Sequence, residues 1–225
     1  MKTKTWVQSR WERLRTAHRA GLPALSVARA RELVARHPDC GPAWKLLGSA
    51  LIELARYEEA ESAIRRAIAL CPTARLWIPL AEMGHLHKAR GDHQEAASWY
   101  RRAVDAAPDE AGAHIYLGGL LAQSGSLDEA EAAHRAATRC ENGCRDEAFL
   151  NLGLVLRALG RHDEAAGCFE AALQIDPRYR SAKLALRDVR QTLRIKPPRR
   201  RTKAARESGG LRTSEAAARS GRFED

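Results

Sequence analysis

Three groups of side chains in this chain have types that do chemistry. His134, Cys140 and Cys144 place an imidazole and two thiols close together, and these are ligand types that zinc prefers. Their spacing argues against a site: cysteines four apart do not form a Cys-x2-Cys knuckle, no second cysteine pair follows, and His134 falls on an apolar helical stripe. His85, His87 and His93 form the second group. On one helix His85 and His87 project about 200° apart, whereas ligands sharing a helix need a spacing of three or four. His87 is therefore read as a core residue, and His85 as facing an inner surface. The chain carries no Gly-x4-Gly-Lys phosphate loop, no paired-His metalloprotease helix and no Gly-x-Ser-x-Gly elbow. The sequence predicts no metal, no cofactor and no enzymatic activity.

The third group is made of charge. Lys183, Arg187, Arg190 and Arg194 lie at offsets of four, seven and eleven, a single stripe on a helix, and lead into Lys196, Arg199, Arg200, Arg201, Lys203 and Arg206. Such a patch is an electrostatic footprint for nucleic acid, an anionic surface or an acidic protein. Against nucleic acid stand the lack of aromatic interleaving and of any recognised binding motif. The net charge of +10 is unevenly divided: residues 1–37 carry +7, residues 38–177 carry −7 and residues 178–206 carry +11. A mildly acidic body lies between two basic ends.

The elements that must position these side chains are helices. The 225 residues are 44% apolar but only 5% aromatic, Ala and Leu dominate the apolar set, and β-branched residues are sparse. No run approaches the ~18 apolar residues of a membrane span, and the first residues lead into charge instead of a signal-peptide core. Five cysteines at scattered positions fit a reducing compartment, so the expected location is cytoplasmic.

Internal repetition organises the rest. Gly48, Gly84, Gly118 and Gly153 recur at intervals of 34 to 36 residues, and Ala60, Ala96, Ala130 and Ala165, like Ala67, Ala103, Ala137 and Ala172, keep the same intervals. Ladders with identical internal offsets define rigid units, with the extra residues falling between them, near Thr73–Arg75 and at Arg145. Within the first clear unit, Trp44, Leu47, Leu51 and Leu54 stripe one helix and Glu58–Leu70 forms a second. A glycine in mid-helix costs about 1 kcal/mol against Ala, so the partner helix must approach Gly48 closely, and Ala60 is the expected contact. Gly91, Gly125 and Gly160 end the later first helices in a left-handed turn; Ala55 stands there in the first unit, where a less sharp turn is expected. Pro72, Pro108 and Pro177 close the second helices, with Asn142 substituting once.

The order Trp44, Leu47-Gly48, Leu51, Ala60, Ile64, Ala67, Pro72 resembles the tetratricopeptide repeat. Later units match as Met83-Gly84, His87, Gly91, Ala96, Tyr100, Ala103, Pro108; as Leu117-Gly118, Leu121, Gly125, Ala130, His134, Ala137; and as Leu152-Gly153, Leu156, Gly160, Ala165, Phe169, Ala172, Pro177. The resemblance divides the chain into a degenerate hairpin over residues 5–40, four repeats at 41–74, 77–110, 111–144 and 146–179, a capping helix at 180–195 and a disordered basic tail at 196–225. In the degenerate unit Leu14 replaces the glycine and Ser26 the alanine, which predicts a wider hairpin. The implied fold is an all-α, right-handed superhelical solenoid whose first helices line a concave groove, and the implied role is that of a scaffold or adaptor binding an extended peptide or protein.

Projecting the first helices inward selects Trp11, Arg15 and His18; Lys45, Ser49 and Ile52; Ile78, Glu82, His85 and Lys88; Ile115, Tyr116 and Gly119; and Asn151, Leu154 and Arg157 as groove residues. Some family members grip the C-terminal carboxylate of heat-shock chaperones with inward Lys, Asn and Arg. Here the matching sites are Lys45 and Ser49, Glu82, and Gly112 and Tyr116, so only the lysine is kept and that activity is not expected.

Overall fold

The computed structural model describes residues 2–195, which form eleven α-helices: α1 (Lys2–Arg19), α2 (Pro23–Arg36), α3 (Gly41–Glu53), α4 (Tyr57–Ala69), α5 (Trp77–Arg90), α6 (His93–Ala106), α7 (Ala111–Gln123), α8 (Leu127–Arg139), α9 (Arg145–Ala158), α10 (His162–Ile175) and α11 (Arg180–Ile195). Among the described residues no extended strand occurs; the extra residues after α4 make a 3-10 turn at Thr73–Arg75. The tail from Lys196 onward lies outside the described residues. Each helix packs chiefly on its neighbours in chain order, and odd-numbered helices also touch the next odd-numbered one, as stacked hairpins in a solenoid require.

The repeating glycines explain the packing of each hairpin. A Cβ built on Gly48 would lie 2.5 Å from Ile64 Cγ1, and one on Gly118 would lie 2.6 Å from His134 Cε1. Gly84 and Gly153 are covered in the same way by the rings of Tyr100 and Phe169. Ala60, the expected contact of Gly48, does approach through its carbonyl oxygen at 3.4 Å, but the nearest neighbour is Ile64, and the glycine makes room for a large side chain sixteen residues on. All four covering side chains are fully or almost fully buried. In the first hairpin the sizes are exchanged, with Leu14 at the glycine position and Ala30 sixteen residues on, both at 0% exposure in one core cluster. Ser26 is buried beside them, its hydroxyl donating to the Leu22 carbonyl.

The turns are uniform. Gly91, Gly125 and Gly160 have φ of 89°, 82° and 74°, and Ala55 takes the same left-handed conformation at 55°. Its turn is as sharp as the others: Arg56 N donates to Leu51 O at 2.9 Å, as Asp92 N does to His87 O at 2.9 Å. Local hydrogen bonding thus imposes on alanine a conformation costing about 1 kcal/mol. Asn142 shows why proline is missing after α8. Its amide donates to Asp109 O at 3.2 Å and its carbonyl accepts from Ala111 N at 3.0 Å, tying two inter-hairpin loops together, and proline has no N–H to give.

Acidic residues open the second helices, where they face the positive helix end, and several also reach across hairpins. Glu58 and Glu61 meet Arg90, Glu59 meets Arg31, Glu129 meets Arg101, and Glu131 and Glu164 share Arg135 and Arg161. Most of these pairs are half-exposed and screened by water, so they fix how neighbouring hairpins meet more than they add stability. α11 closes the array, burying Ala182, Ala185, Leu186 and Val189 in a cluster with Leu152, Leu156 and Phe169 of the last hairpin.

Candidate functional site

The first helices present a row of side chains whose surroundings differ along the solenoid. At the N-terminal end, Trp11, Arg15, Lys45 and Ile78 line one cleft of about 730 Å³, bounded by α1, α3, α5 and the connection from Leu70 to Arg75. Leu46, Leu70 and Pro79 complete its apolar floor, and His18, Arg19 and Arg75 join Arg15 and Lys45 around it. Five predicted groove residues, His18 included, are therefore brought together, and Arg19 and Arg75 are additions. Arg19 continues the Trp11, Arg15 stripe at a spacing of four to the end of α1, whereas Arg75 belongs to the 3-10 turn, which a projection of the first helices does not reach.

In the middle the row changes character. Lys45 Nζ lies 2.9 Å from Glu82 Oε1, and the glutamate side chain is only 11% exposed. The lysine compensates a carboxylate that burial would otherwise penalise. One helical turn on, Tyr100 Oη and His85 Nδ1 are joined by a hydrogen bond of 2.7 Å, and Tyr116 meets His85 edge-on with ring centroids 4.6 Å apart. Burial pushes the Tyr116 phenol up, helped by the negative charge of Glu82, and pushes the His85 imidazole down against the opposing pull of that same carboxylate. The cluster is therefore uncharged at neutral pH, and Tyr116, 38% exposed, is its open face. Ser49 and Lys88 are half-buried on the same helices.

Two predicted groove residues are corrected. Ile115 is 6% exposed and belongs to a core cluster with Ala111, Ala137, Cys140 and Ala148, because α9 of the next hairpin stacks over this part of α7, whereas Lys45 at the same register of α3 stays at the cleft. Ala81 and Leu150, at the same position, are buried too. Glu82 is buried and committed to Lys45, so it offers no free carboxylate to the groove. Arg157 is paired with Asp188 of α11 at 2.9 Å. Asn151 and Leu154 remain half-exposed on α9, Leu154 leaning on the last core cluster. A cation at Gly112, as in the chaperone-binding pattern, would press on Trp77: a Cβ there would lie 3.1 Å from the indole ring, which would have to give by a few tenths of an ångström.

On α11, Lys183, Arg187, Arg190 and Arg194 are all exposed and line one hollow of about 550 Å³ with Leu173, Leu186 and Gln191. Arg190 is held by Glu170 at 2.8 Å, which shortens the stripe by one charge. Lys196, Arg199, Arg200, Arg201, Lys203 and Arg206 lie outside the described residues.

His134, Cys140 and His87 have packing roles. His134 is 1% exposed over Gly118, and burial pushes its imidazole down to about 4. Cys140 points its thiol at the carbonyls of Ala136 and Pro108. His87 stacks on Trp99 with ring centroids 6.4 Å apart. Among the described residues no three His, Cys, Asp or Glu side chains gather as a metal site would require.

The family profile of the tetratricopeptide repeat matches residues 13–75, 82–143 and 146–179, well over half of the chain. This chain belongs to the tetratricopeptide repeat family. Its array is similar to the thermophilic tetratricopeptide protein TTC0263 of Thermus thermophilus, with a TM-score of 0.61 at 19% identity over 81% of this chain and 98% of that one. It is also similar to Pseudomonas aeruginosa PilF, with a TM-score of 0.61 at 22% identity over 71% of each chain. These likenesses are of fold. In sequence it is 29% identical over 133 residues to human tetratricopeptide repeat protein 7A, and 28% identical over 132 residues to human protein O-mannosyl-transferase TMTC1. The match takes in 59% of this chain each time but only 15% and 14% of those relatives, so the repeat array spans a small part of their length. No described helix of the array is long and apolar enough to cross a membrane.

Proposed function

We propose that this tetratricopeptide array is a non-catalytic, cytoplasmic adaptor that holds an extended segment of another protein along the wall formed by its first helices. One observation carries the reading: a preformed cleft of about 730 Å³ with an apolar floor opens across α1, α3 and α5. A rigid concave surface lowers the ordering cost of a bound peptide, and half-exposed aromatic and aliphatic groups such as Trp11, Ile78, Tyr116 and Leu154 supply anchors. The units we assign to it are the repeats at 41–74, 77–110, 111–144 and 146–179, flanked by the hairpin at 5–40 and the cap at 180–195.

Panning a displayed peptide library against the full chain tests this. Selected peptides are expected to lose about tenfold or more in affinity with the Trp11→Ala, Ile78→Ala double variant, each anchor being worth ~1 kcal/mol or more. Peptides that bind the double variant as well as the parent, with melting curves unchanged, would remove the groove from consideration.

The hollow on α11 favours a second reading, binding of nucleic acid or another anionic surface through Lys183, Arg187 and Arg194. Affinity for a phosphate polymer through these side chains falls steeply with salt, whereas docking on apolar anchors changes little. A salt-insensitive interaction that survives removal of residues 196–225 excludes the second reading.

A further inference from the structure

The N-terminal cleft has a charge pattern that specifies more than an extended peptide. Around its apolar floor stand Arg15, His18, Arg19, Lys45 and Arg75, against one carboxylate, Asp39. Lys45 is neutralised by Glu82 at 2.9 Å, and Arg15 is shared with exposed Glu12 at 3.2 Å. Arg19 and Arg75 are exposed and have no acidic partner within 4.0 Å among the described residues. One lies at the end of α1 and the other on the 3-10 turn, so the two unspent guanidiniums flank the hollow from different elements.

The floor discriminates between anionic ligands. A phosphate polymer would leave Leu46, Leu70 and Ile78 without apolar contact, and only Trp11 and His18 among the lining residues offer a ring on which a base could stack. A volume of about 730 Å³ lies in the range that encloses a short segment, not a folded domain. Resting on the groove reading above, we propose that this cleft recognises a short acidic segment of a partner protein, seating one large apolar side chain on Trp11, Leu46 and Ile78 while flanking carboxylates meet Arg19 and Arg75. Guanidinium forks match carboxylates in pairs, which suits this rim better than ammonium groups would.

The library selection is read a second way to test this. Enriched sequences are expected to place Asp or Glu within about three positions of a Leu, Ile or Phe, a spacing that an extended chain spans at ~3.3 Å per residue. Synthetic copies of them should lose about tenfold in affinity with Arg19→Glu and again with Arg75→Glu, while Arg66→Glu, an exposed arginine that does not line the cleft, leaves it unchanged. The charge-neutral Arg75→Gln should lose less than Arg75→Glu. If enriched peptides are neutral or basic yet depend on Trp11 and Ile78, the groove reading stands and the acidic specificity is overturned. If no peptide depends on Trp11 or Ile78, both fall. Within residues 196–225, outside the described residues, the sequence contains one stretch of this chemistry, Phe223-Glu224-Asp225. A clear rise in affinity on removing residues 196–225 would make that stretch the occupant and overturn a partner protein.

Discussion

Replacing His134 by Phe should stabilise the array and remove a defined part of its acid sensitivity. The imidazole sits over Gly118 at 1% exposure, and its Nδ1 is buried with no hydrogen-bond partner. A buried unsatisfied polar atom costs about 1–3 kcal/mol. The same position over Gly153 is filled by Phe169 and over Gly84 by Tyr100, so the hairpin geometry accepts a six-membered ring. With some allowance for tighter packing, a net gain of about 1 kcal/mol is expected near pH 7. The pH dependence is sharper. Burial lowers the folded-state pKa of His134 from 6.5 to about 4, so below 6.5 the unfolded chain binds a proton that the folded chain refuses. The stability this neutral ring permits is fully present above 6.5 and is lost as pH falls toward 4, at about 1.36 kcal/mol per pH unit, or ~3 kcal/mol over the window. Urea unfolding followed by circular dichroism at several pH values, for parent and variant in parallel, isolates this contribution, because His85 and every carboxylate are common to both. The difference in unfolding free energy should grow along that slope below 6.5. Parallel curves at equal m-value would refute the reasoning, since they would mean that the imidazole charges inside the fold without penalty.

Adjacent glycines on α7 offer an internal control. Gly118→Ala drives a methyl into the His134 ring and should cost about 1–3 kcal/mol, whereas Gly119→Ala, with nothing within 4 Å of the new Cβ, should stabilise by ~1 kcal/mol; thermal melts of the two variants would then move in opposite directions. Ala55→Gly relieves a left-handed alanine at φ 55° and should raise stability by up to ~1 kcal/mol in the same assay, and an unchanged or lower melting temperature would show that the turn carries no strain.

Much of the fold can be read directly because hairpin packing leaves its mark in residue size at fixed offsets. The ladder of Gly48, Gly84, Gly118 and Gly153 announces a close approach, and that approach occurs in each case. Its nearest partner escapes the sequence because small residues attract attention together, whereas a gap in one helix is filled by bulk from the other, here Ile64, Tyr100, His134 and Phe169. Ala55 misleads for a related reason: residue preference describes the isolated turn, while the hydrogen bond from Arg56 N to Leu51 O holds the turn in place regardless.

The groove is legible only in outline. Helical periodicity separates an inward from an outward face within one hairpin, which is how Trp11, Lys45, Ile78, His85 and Tyr116 come to be named as one inner row. It cannot tell which inward positions the next hairpin will cover, and so it assigns Ile115 to the surface although stacking buries it. Nor can it pair charges that lie 31 or 37 residues apart, as Arg157 with Asp188 and Lys45 with Glu82 do. The repeat period, the helices and the ladders of small residues are local facts, written in short-range spacing. Which cations remain unspent around the N-terminal cleft depends on the rotation between stacked hairpins, a property of contacts between units that no single unit encodes.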